Sequence, residues 1–476
     1  MPWDEMTGSL DFSTLGALYR NGDARPEEVI GAVYRRIRAR GDDKVWIHLV
    51  PEADARACAR QIEARLQPSA PLYGLPVAIK DNIDVPGLPT TSAFPPSRHV
   101  PATTGPAVRR LIDAGAIVIG KTNMDQLAVG LVGTRSPYGV ARNAFDARFI
   151  PGGSSAGSGV AVGAGLVAFA LGNDAAGSGR VPAAFNNVVG VKPTPGLVSN
   201  TAVAGGGTAK SLETLSIFGL TTEDAMHVLR LVAGYDPEDL FSKPEARYCD
   251  LSPRPLPAAF RFAVPKPSDR VFYGDRDAQR LFEAAIARLE RLGGVAVEIG
   301  YGVFDAAQRL LYEAPFLTER AVSVEAMIAG HEAALHPVTR KILQSAESWS
   351  ARDAWRAIHE LARLKREARR LLVDTEVFVV PTTPTIYTIE EVEADPIALN
   401  ARLGAYTNFV NLMGMCGVAV PSGFRADGMP QGVTILAEGF AEARAASIAA
   451  AFHRATGLPL GATGARYPDA ENPRSL

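Results

Sequence analysis

Two apolar runs with a helical segment between them decide the fold class of this chain. The first run is Leu75-Pro76-Val77-Ala78-Ile79, which ends at Lys80, and the second is Ala116-Ile117-Val118-Ile119-Gly120. A polar, proline-rich segment follows the first run, and residues 107–114 then show the pattern of a helix. Short apolar strands joined through a helix are typical of a βαβ unit with parallel, buried strands. The sequence therefore predicts an α/β fold.

The segments on either side of this unit continue the alternation of helices and strands. Residues 11–70 are rich in Ala, Arg, Glu and Leu, which predicts amphipathic helices. Downstream, the patterns predict helices over residues 277–292 and 352–373, and strands over residues 261–264, 377–380, 418–421 and 432–436. One large α/β domain is the simplest interpretation, and a second small domain around residues 240–350 is the alternative.

The middle of the chain is dominated by small residues. Residues 152–159 form a turn rich in Gly and Ser, and residues 160–171 are small and apolar on all sides. The latter pattern predicts a helix in the centre of the protein. Residues 172–195 are dense in Gly, Asn, Ser and Pro, and they predict an irregular loop. A long irregular loop between buried elements is usually functional.

Composition excludes several classes of protein. The chain has 476 residues, of which 47% are apolar and 21% charged, as expected for a globular protein. Its net charge is −2, with no basic run of the kind that binds nucleic acid or a membrane surface. The longest apolar stretch is too short and too rich in glycine to span a bilayer. We expect a small-molecule partner, without nucleic acid or membrane.

The three cysteines, Cys58, Cys249 and Cys416, lie far apart and form no CxxC motif. This pattern favours free thiols in a reducing compartment. The N-terminal stretch Met1–Glu5 is acidic and lacks the apolar segment of a secretory signal. Together these features predict a cytoplasmic protein.

The seven histidines do not form a site. None lies in a glycine-rich turn, and none forms an HxH or HxxxH pair. A metal site and a Ser-His-Asp triad are therefore poorly supported, and the sequence predicts neither a metal nor a cofactor.

Two short motifs are misleading in this sequence. Residues 153–157 fit GxSxG, the nucleophile elbow of α/β-hydrolases, but no histidine is well placed to complete that triad. Residues 163–168 fit GxGxxG/A, but they lie inside the predicted central helix rather than at a strand-to-helix turn. Helix packing explains the second motif better than dinucleotide binding.

A lysine and a serine remain as the residues able to carry out nucleophilic chemistry. A serine hydroxyl needs a base, and without histidine the remaining base is a neutral lysine. Lys80 ends a buried strand, where desolvation lowers a lysine pKa; an ion pair with Asp81 or Asp84 is the structural alternative. Ser178 follows small residues whose backbone N–H groups could surround one oxygen, although a simple glycine-rich turn would look the same.

These pieces together resemble the amidase signature family. The segments that carry the resemblance are GLPVAIKDNIDVPGLPTT (74–91), AGAIVIGKTNMDQ (114–126), PGGSSAGSG (151–159) and GNDAAGSGRVPAAFNNVVGVKPT (172–194). The resemblance implies a large mixed β-sheet covered by helices on both faces, and a triad of Lys80, Ser154 in a cis peptide, and Ser178 as nucleophile. The family separates its two serines by 24 positions, and 178 − 154 = 24 here.

The resemblance also implies an oxyanion hole made by the backbone N–H groups of Ala175, Ala176, Gly177 and Ser178. The family usually has Thr where Asn173 stands and Gly where Ala176 stands. The first departure is expected to alter a hydrogen bond in the loop. The second should matter little, because an oxyanion hole uses backbone atoms.

Within the family, the chain resembles allophanate hydrolases from about residue 10 to residue 465. The segments around residues 122–139 and 177–187 carry this likeness, and it implies that Tyr312 and Arg320 grip the substrate. A guanidinium binds a carboxylate through two hydrogen bonds, as a ureido carboxylate requires. The segment Ala209–Leu215 departs from a cysteine-containing stretch in those enzymes, so a related substrate such as a carboxybiuret is an alternative.

The resemblance thus implies an amidohydrolase that releases ammonia from a small ureido carboxylate through an acyl-enzyme, in nitrogen metabolism. Residues 1–476 are expected to form a single amidase domain, with a helical segment over 1–70, a signature core over 71–200 and no second allophanate hydrolase domain. A homodimer is expected from the family alone.

An amidase of other specificity, including the A-type subunit of a glutamine-dependent amidotransferase, is the enzyme alternative. A catalytically inactive scaffold is the non-enzyme alternative.

Overall fold

A computed structural model describes residues 4–204 and 209–468. The first three residues of the acidic N-terminal stretch thus lie outside the described residues. The described chain contains a mixed sheet of eleven strands in the order β1-β3-β2-β4-β6-β5-β10-β11-β9-β7-β8. The strands are β1 Trp46–Leu49, β2 Pro76–Lys80, β3 Ile117–Thr122, β4 Phe169–Asp174, β5 Val189–Lys192, β6 Thr214–Gly219, β7 Phe260–Pro265, β8 Gly294–Ile299, β9 Val377–Pro381, β10 Cys416–Phe424 and β11 Pro430–Ala437.

Sixteen α-helices surround the sheet in the described residues. They are α1 Phe12–Asn21, α2 Pro26–Arg40, α3 Glu52–Arg65, α4 Pro106–Asp113, α5 Ala156–Gly163, α6 Arg180–Phe185, α7 Thr222–Val232, α8 Arg276–Arg291, α9 Gly302–Leu310, α10 Phe316–Ile328, α11 Pro337–Ser345, α12 Ala351–Leu372, α13 Ile389–Ala394, α14 Ala398–Leu403, α15 Asn408–Met413 and α16 Glu442–Thr456. None of these helices is both long and apolar enough to cross a bilayer.

The βαβ unit predicted from the two apolar runs is confirmed. Strand β2 pairs in parallel with β3 on one side and with β4 on the other. Strand β4 then pairs antiparallel with β6, so the sheet is mixed. The region around residues 240–350 contributes β7 and β8, which extend the same sheet at one edge.

Both faces of strand β9, inside the sheet, are buried. Val377 and Val379 belong to one apolar cluster, which includes Ile448 of α16. The intervening Phe378 and Val380 belong to another cluster, with residues of α9, α12 and α15. Because successive side chains of a strand point to opposite faces, helices cover this strand on both sides. The expected fold class is confirmed.

The predicted helix over residues 160–171 is wrong beyond Gly163. Helix α5 ends there, Gly165 adopts a left-handed conformation with φ of +66°, and residues 169–174 form β4. Small apolar residues suit a buried helix and a buried strand equally, and pairing with β2 and β6 decides for the strand. The predicted loop over 172–195 is likewise partly regular, since it contains α6 and β5.

Candidate active site

Three polar side chains meet near the carboxyl ends of strands β2 and β4. Lys80 is the last residue of β2, Ser154 lies in the turn before α5, and Ser178 lies in the loop between β4 and α6. Strands β2 and β4 are parallel neighbours, so their carboxyl ends lie side by side. In α/β sheets, ligands usually bind just beyond the carboxyl ends of the strands.

These side chains form a continuous hydrogen-bonded chain. The Lys80 Nζ lies 2.7 Å from Ser154 Oγ, which lies 2.9 Å from Ser178 Oγ. Lys80 and Ser154 are fully buried, whereas Ser178 retains 4% of its surface. The peptide bond between Gly153 and Ser154 is cis. Since a hydroxyl both donates and accepts hydrogen bonds, this chain can pass a proton in either direction.

Burial sets the charge of Lys80. Desolvation lowers the pKa of this lysine to about 7, against the opposing influence of Glu213, Asp125 and Asp174. A substantial fraction of the amine is therefore neutral near pH 7, as a general base must be. The Nζ also donates to Asn173 Oδ1, at the position where the family usually has Thr. Asn173, at which the chain departs from the family, therefore contacts the lysine directly.

The loop after β4 is organised by Asp174. Its carboxylate accepts hydrogen bonds from the N–H groups of Gly177 at 2.9 Å and Gly179 at 3.0 Å. It also pairs with the Arg180 guanidinium through two hydrogen bonds of 2.9 Å. Burial raises the pKa of Asp174, but the charge and hydrogen bonds of Arg180, the charge of Lys192 and the Gly179 N–H together hold that pKa below its usual value. Asp174 is therefore ionised and fixes the backbone on either side of Ser178.

Three of the four predicted oxyanion donors keep a free N–H group within the described residues. The N–H groups of Ala175, Ala176 and Ser178 donate no hydrogen bond there. The N–H of Gly177 differs, because it is engaged by Asp174.

Arg180 and Thr407 connect the serine loop to α15. The Arg180 guanidinium donates to the Thr407 carbonyl at 3.1 Å and to Asn411 Oδ1 at 3.2 Å. Gly177 has a φ of +139°, and a Cβ there would lie 2.6 Å from Thr407 Oγ1. Glycine is therefore required at this position both by conformation and by space.

The predicted substrate residues lie together. Arg320 in α10 is 2% exposed and donates to the Ala128 carbonyl at 3.2 Å. Its Cζ lies 6.0 Å from the ring centre of Tyr312. The Arg320 charge also acts to lower the pKa of Lys80, which places the guanidinium within electrostatic reach of the triad.

A carboxylate beside Arg320 ties its helix to the segment before β6. Glu319 accepts hydrogen bonds from the N–H and the hydroxyl of Ser211, at 2.7 and 2.8 Å. Ser211 belongs to the segment in which this chain departs from the allophanate hydrolase pattern. That segment therefore borders the helix that holds the predicted substrate arginine.

Sequence reasoning missed several supporting residues: Asp125, Asp174, Arg180, Glu213 and Thr407. Asp174 and Arg180 lie inside the quoted loop segment, but nothing in their spacing shows that they pair. Asp125 lies in the quoted segment 114–126, whereas Glu213 and Thr407 lie outside the signature segments, and all three reach the site only through the fold. Within residues 4–204 and 209–468, no cluster of His, Cys, Asp and Glu could hold a metal ion.

A lysine and two serines in buried contact on a mixed α/β sheet define an amide hydrolase, and comparison with known proteins gives its family. The chain belongs to the amidase family, whose profile matches residues 28–445. It is an amidohydrolase related to allophanate hydrolases. This confirms the resemblance inferred from the signature segments.

Three relatives illustrate the match. The chain is 40% identical to the urea amidolyase of Lachancea kluyveri over 432 residues, which is 89% of this chain and 23% of that protein. It is 33% identical to the A-type subunit of the glutamyl-tRNA(Gln) amidotransferase of Geobacillus stearothermophilus, covering 93% of this chain and 96% of that relative. The structure of Kluyveromyces lactis allophanate hydrolase superposes with a TM-score of 0.89 and 34% identity, covering 98% of this chain and 76% of that one. The chain thus spans about a quarter of the length of the urea amidolyase.

Proposed function

We propose that this protein hydrolyses the terminal C–N bond of a small ureido carboxylate such as allophanate and releases ammonia. The observation that carries the proposal is the buried chain from Lys80 Nζ through Ser154 Oγ to Ser178 Oγ, with spacings of 2.7 and 2.9 Å. It supplies a nucleophile and a base without histidine or metal.

The reaction begins with two proton transfers. Ser178 passes its hydroxyl proton to Ser154, while Ser154 passes its own proton to the neutral amine of Lys80. The Ser178 Oγ attacks the terminal carbamoyl carbon and forms a tetrahedral intermediate. The N–H groups of Ala175, Ala176 and Ser178 stabilise the developing oxyanion, because they have no other acceptor among the described residues. Gly177 supports the hole through its conformation, since its own N–H is held by Asp174.

The second half of the reaction reverses the proton relay. The proton held by Lys80 returns through Ser154 to the leaving nitrogen, and ammonia departs as the C–N bond breaks. An acyl group then remains on Ser178. A water molecule gives a proton to the same relay, attacks the acyl carbon and releases the carboxylated product, which restores the free serine.

The substrate carboxylate is assigned to Arg320. A guanidinium fork fits a carboxylate and remains charged at all physiological pH values. Arg320 is buried, which strengthens its interaction with an anion, and the Tyr312 ring flanks it. The names of the urea amidolyase and allophanate hydrolase relatives support this class of substrate.

A second candidate function is the ammonia-releasing subunit of a glutamine-dependent amidotransferase. The observation that favours it is the match to the A-type amidotransferase subunit over 93% of this chain and 96% of that relative. Such a protein would hydrolyse glutamine with the same three residues. The likeness of the segment that carries Tyr312 and Arg320 to allophanate hydrolases favours the ureido carboxylate instead.

The experiment that separates these functions is a measurement of ammonia release by the purified protein. Allophanate, biuret, malonamate, glutamine and a simple aryl amide are each offered, with Ser178→Ala as the control. We expect allophanate to be turned over fastest and the Ser178→Ala protein to release no ammonia above background. Preferential turnover of glutamine would favour the amidotransferase function, and turnover of biuret or the aryl amide alone would discard the carboxylate assignment. Wild-type turnover by Ser178→Ala would overturn the mechanism itself.

A further inference from the structure

A cavity lies away from the residues assigned to catalysis. It has a volume of about 600 Å³ and opens between the C-terminal half of α12 and the start of α16. None of the residues assigned to catalysis or substrate binding lines it. This volume is in the range of small-molecule sites, which measure roughly 300–1,000 Å³.

The floor of this cavity is apolar. Phe378 of β9, Leu436 of β11 and Met415, which precedes β10, form its base, and Leu372 at the end of α12 forms one side. The first three side chains are buried in the core. The floor is therefore a fixed apolar surface, suited to the body of a hydrocarbon or aromatic ligand.

Four cations from three separate parts of the chain surround this floor: Lys243, Lys365, Arg369 and Arg444. Within the described residues, none of the four forms an ion pair with a carboxylate. Two acidic residues also line the cavity: Glu376, whose carboxylate accepts the backbone N–H of Arg261 at 2.6 Å, and the exposed Glu438. Four cations against two carboxylates leave an excess of positive charge in the cavity.

The cations lie close enough to oppose one another. Burial, Lys243 and Arg369 together lower the pKa of Lys365. Arg369 could be explained as a cation in the last turn of α12, where the helix dipole favours it. Arg444 has no such explanation, because it lies in the first turn of α16, where the dipole disfavours a cation. A cleft lined by charges of one sign concentrates counter-ions, so an anion bound between these cations would relieve their repulsion.

We propose that this cavity binds a small organic anion, with a carboxylate or phosphate held by Lys243, Lys365 and Arg369 and an apolar body resting on Phe378, Met415 and Leu436. The site is separate from Ser178, and the proposal does not depend on the reaction assigned to that serine. The carboxylate and the phosphate are two sources of the same chemistry, and the experiment distinguishes them.

The test uses the whole 476-residue chain and 8-anilinonaphthalene-1-sulfonate, an aromatic anion whose fluorescence rises when it binds. Lys365→Gln/Arg369→Gln is compared with Arg366→Gln/Arg370→Gln. Both pairs remove two charges from α12, but only the first pair lines the cavity. We expect saturable binding by the wild type and the control, and at least tenfold weaker binding by Lys365→Gln/Arg369→Gln. Ser178→Ala should bind as the wild type does.

Two further arms complete the test. Neutral N-phenyl-1-naphthylamine has the same aromatic body without the charge, and it should bind at least tenfold more weakly than the sulfonate. Displacement of the sulfonate by phenyl phosphate or by benzoate identifies the preferred head group. Equal binding by the two double variants, equal binding of the neutral probe, or displacement by neither anion would overturn the proposal.

Discussion

Ser154 and Ser178 are 24 residues apart in the chain and share a hydrogen bond of 2.9 Å. Both hydroxyls are buried, and Lys80 lies at the far end of the pair. This contact places a hydroxyl between the proposed base and the proposed nucleophile, so the lysine need not touch the serine that it activates.

Activity should depend on the neutral form of Lys80. Because burial lowers its pKa to about 7, the rate should increase as the pH rises through that value and the amine loses its proton. We expect kcat/KM for allophanate to show an ascending limb centred near pH 7. Lys80→Met should reduce kcat by about 10²–10⁴-fold, the usual contribution of a general base, while circular dichroism shows a folded protein. A rate that is independent of pH between 6 and 8 would argue against the lysine as base.

Replacement of Arg320 should impair only anionic substrates. Arg320→Gln removes the charge assigned to the substrate carboxylate, which costs about 2–5 kcal/mol, or at least about 30-fold in kcat/KM. Turnover of a simple aryl amide by the same variant should change little at a pH well above 7, where Lys80 stays neutral although the Arg320 charge no longer lowers its pKa. Arg309→Gln is a suitable control, since Arg309 lies in the preceding helix α9 and forms an exposed ion pair with Asp305. Equal losses on both substrates would show that Arg320 has a structural role.

Gly177→Ala should lower both stability and activity. The new methyl group would lie 2.6 Å from Thr407 Oγ1, at a backbone φ of +139° that alanine rarely adopts. We expect a loss of about 1–3 kcal/mol in the free energy of unfolding and a lower kcat, because the serine loop must shift. Urea denaturation measures the first effect and ammonia release the second.

The double variant Gly177→Ala/Thr407→Ala tests the steric part of this explanation. It removes the hydroxyl and one methyl group that the new Cβ would meet, so it should recover part of the stability lost by Gly177→Ala. Recovery should be incomplete, because the unfavourable φ remains and because alanine at position 407 keeps the Cβ, which would lie 2.8 Å from the new methyl group. A double variant no more stable than the sum of the two single changes would exclude the contact with Thr407 as the cause.

His453 should weaken the fold at acidic pH. Burial lowers its pKa to about 3, and neither ring nitrogen has a hydrogen-bond partner among the described residues. The unfolded chain takes up a proton below about pH 6.5, whereas the folded protein does so only near pH 3. The stability contributed by the neutral ring is thus complete above pH 6.5 and is lost as the pH falls. The loss between pH 7 and pH 5 should be about 2 kcal/mol.

The variant His453→Phe keeps a ring against Tyr467, whose ring centre lies 5.0 Å away, and cannot be protonated. Its free energy of unfolding should fall less than that of the wild type between pH 7 and pH 5. His359→Gln, at an exposed position of α12, is the control and should retain the wild-type pH dependence. Parallel pH profiles for wild type and His453→Phe would contradict the assignment.

The sequence alone was sufficient for the class of fold and for the three residues of the relay. The apolar runs that end at Lys80 and Gly120 predict parallel strands, because strands of parallel sheets are usually covered on both faces and are therefore apolar throughout. The spacing between Ser154 and Ser178, with a lysine segment upstream, then indicates the chemistry by resemblance. The same patterns could not separate helix from strand over residues 160–174, since small apolar residues suit both.

Only the tertiary structure decided how the site is supported. The Asp174 carboxylate pairs with Arg180 and also accepts the N–H of Gly177. The resemblance had implied that this N–H belongs to the oxyanion hole. Thr407 reaches Gly177 across more than two hundred residues of chain. A hydrogen bond depends on where the fold brings two atoms, and local patterns record only neighbours along the chain. The pKa of Lys80 likewise depends on the tertiary structure, because the surrounding core produces the desolvation that lowers it.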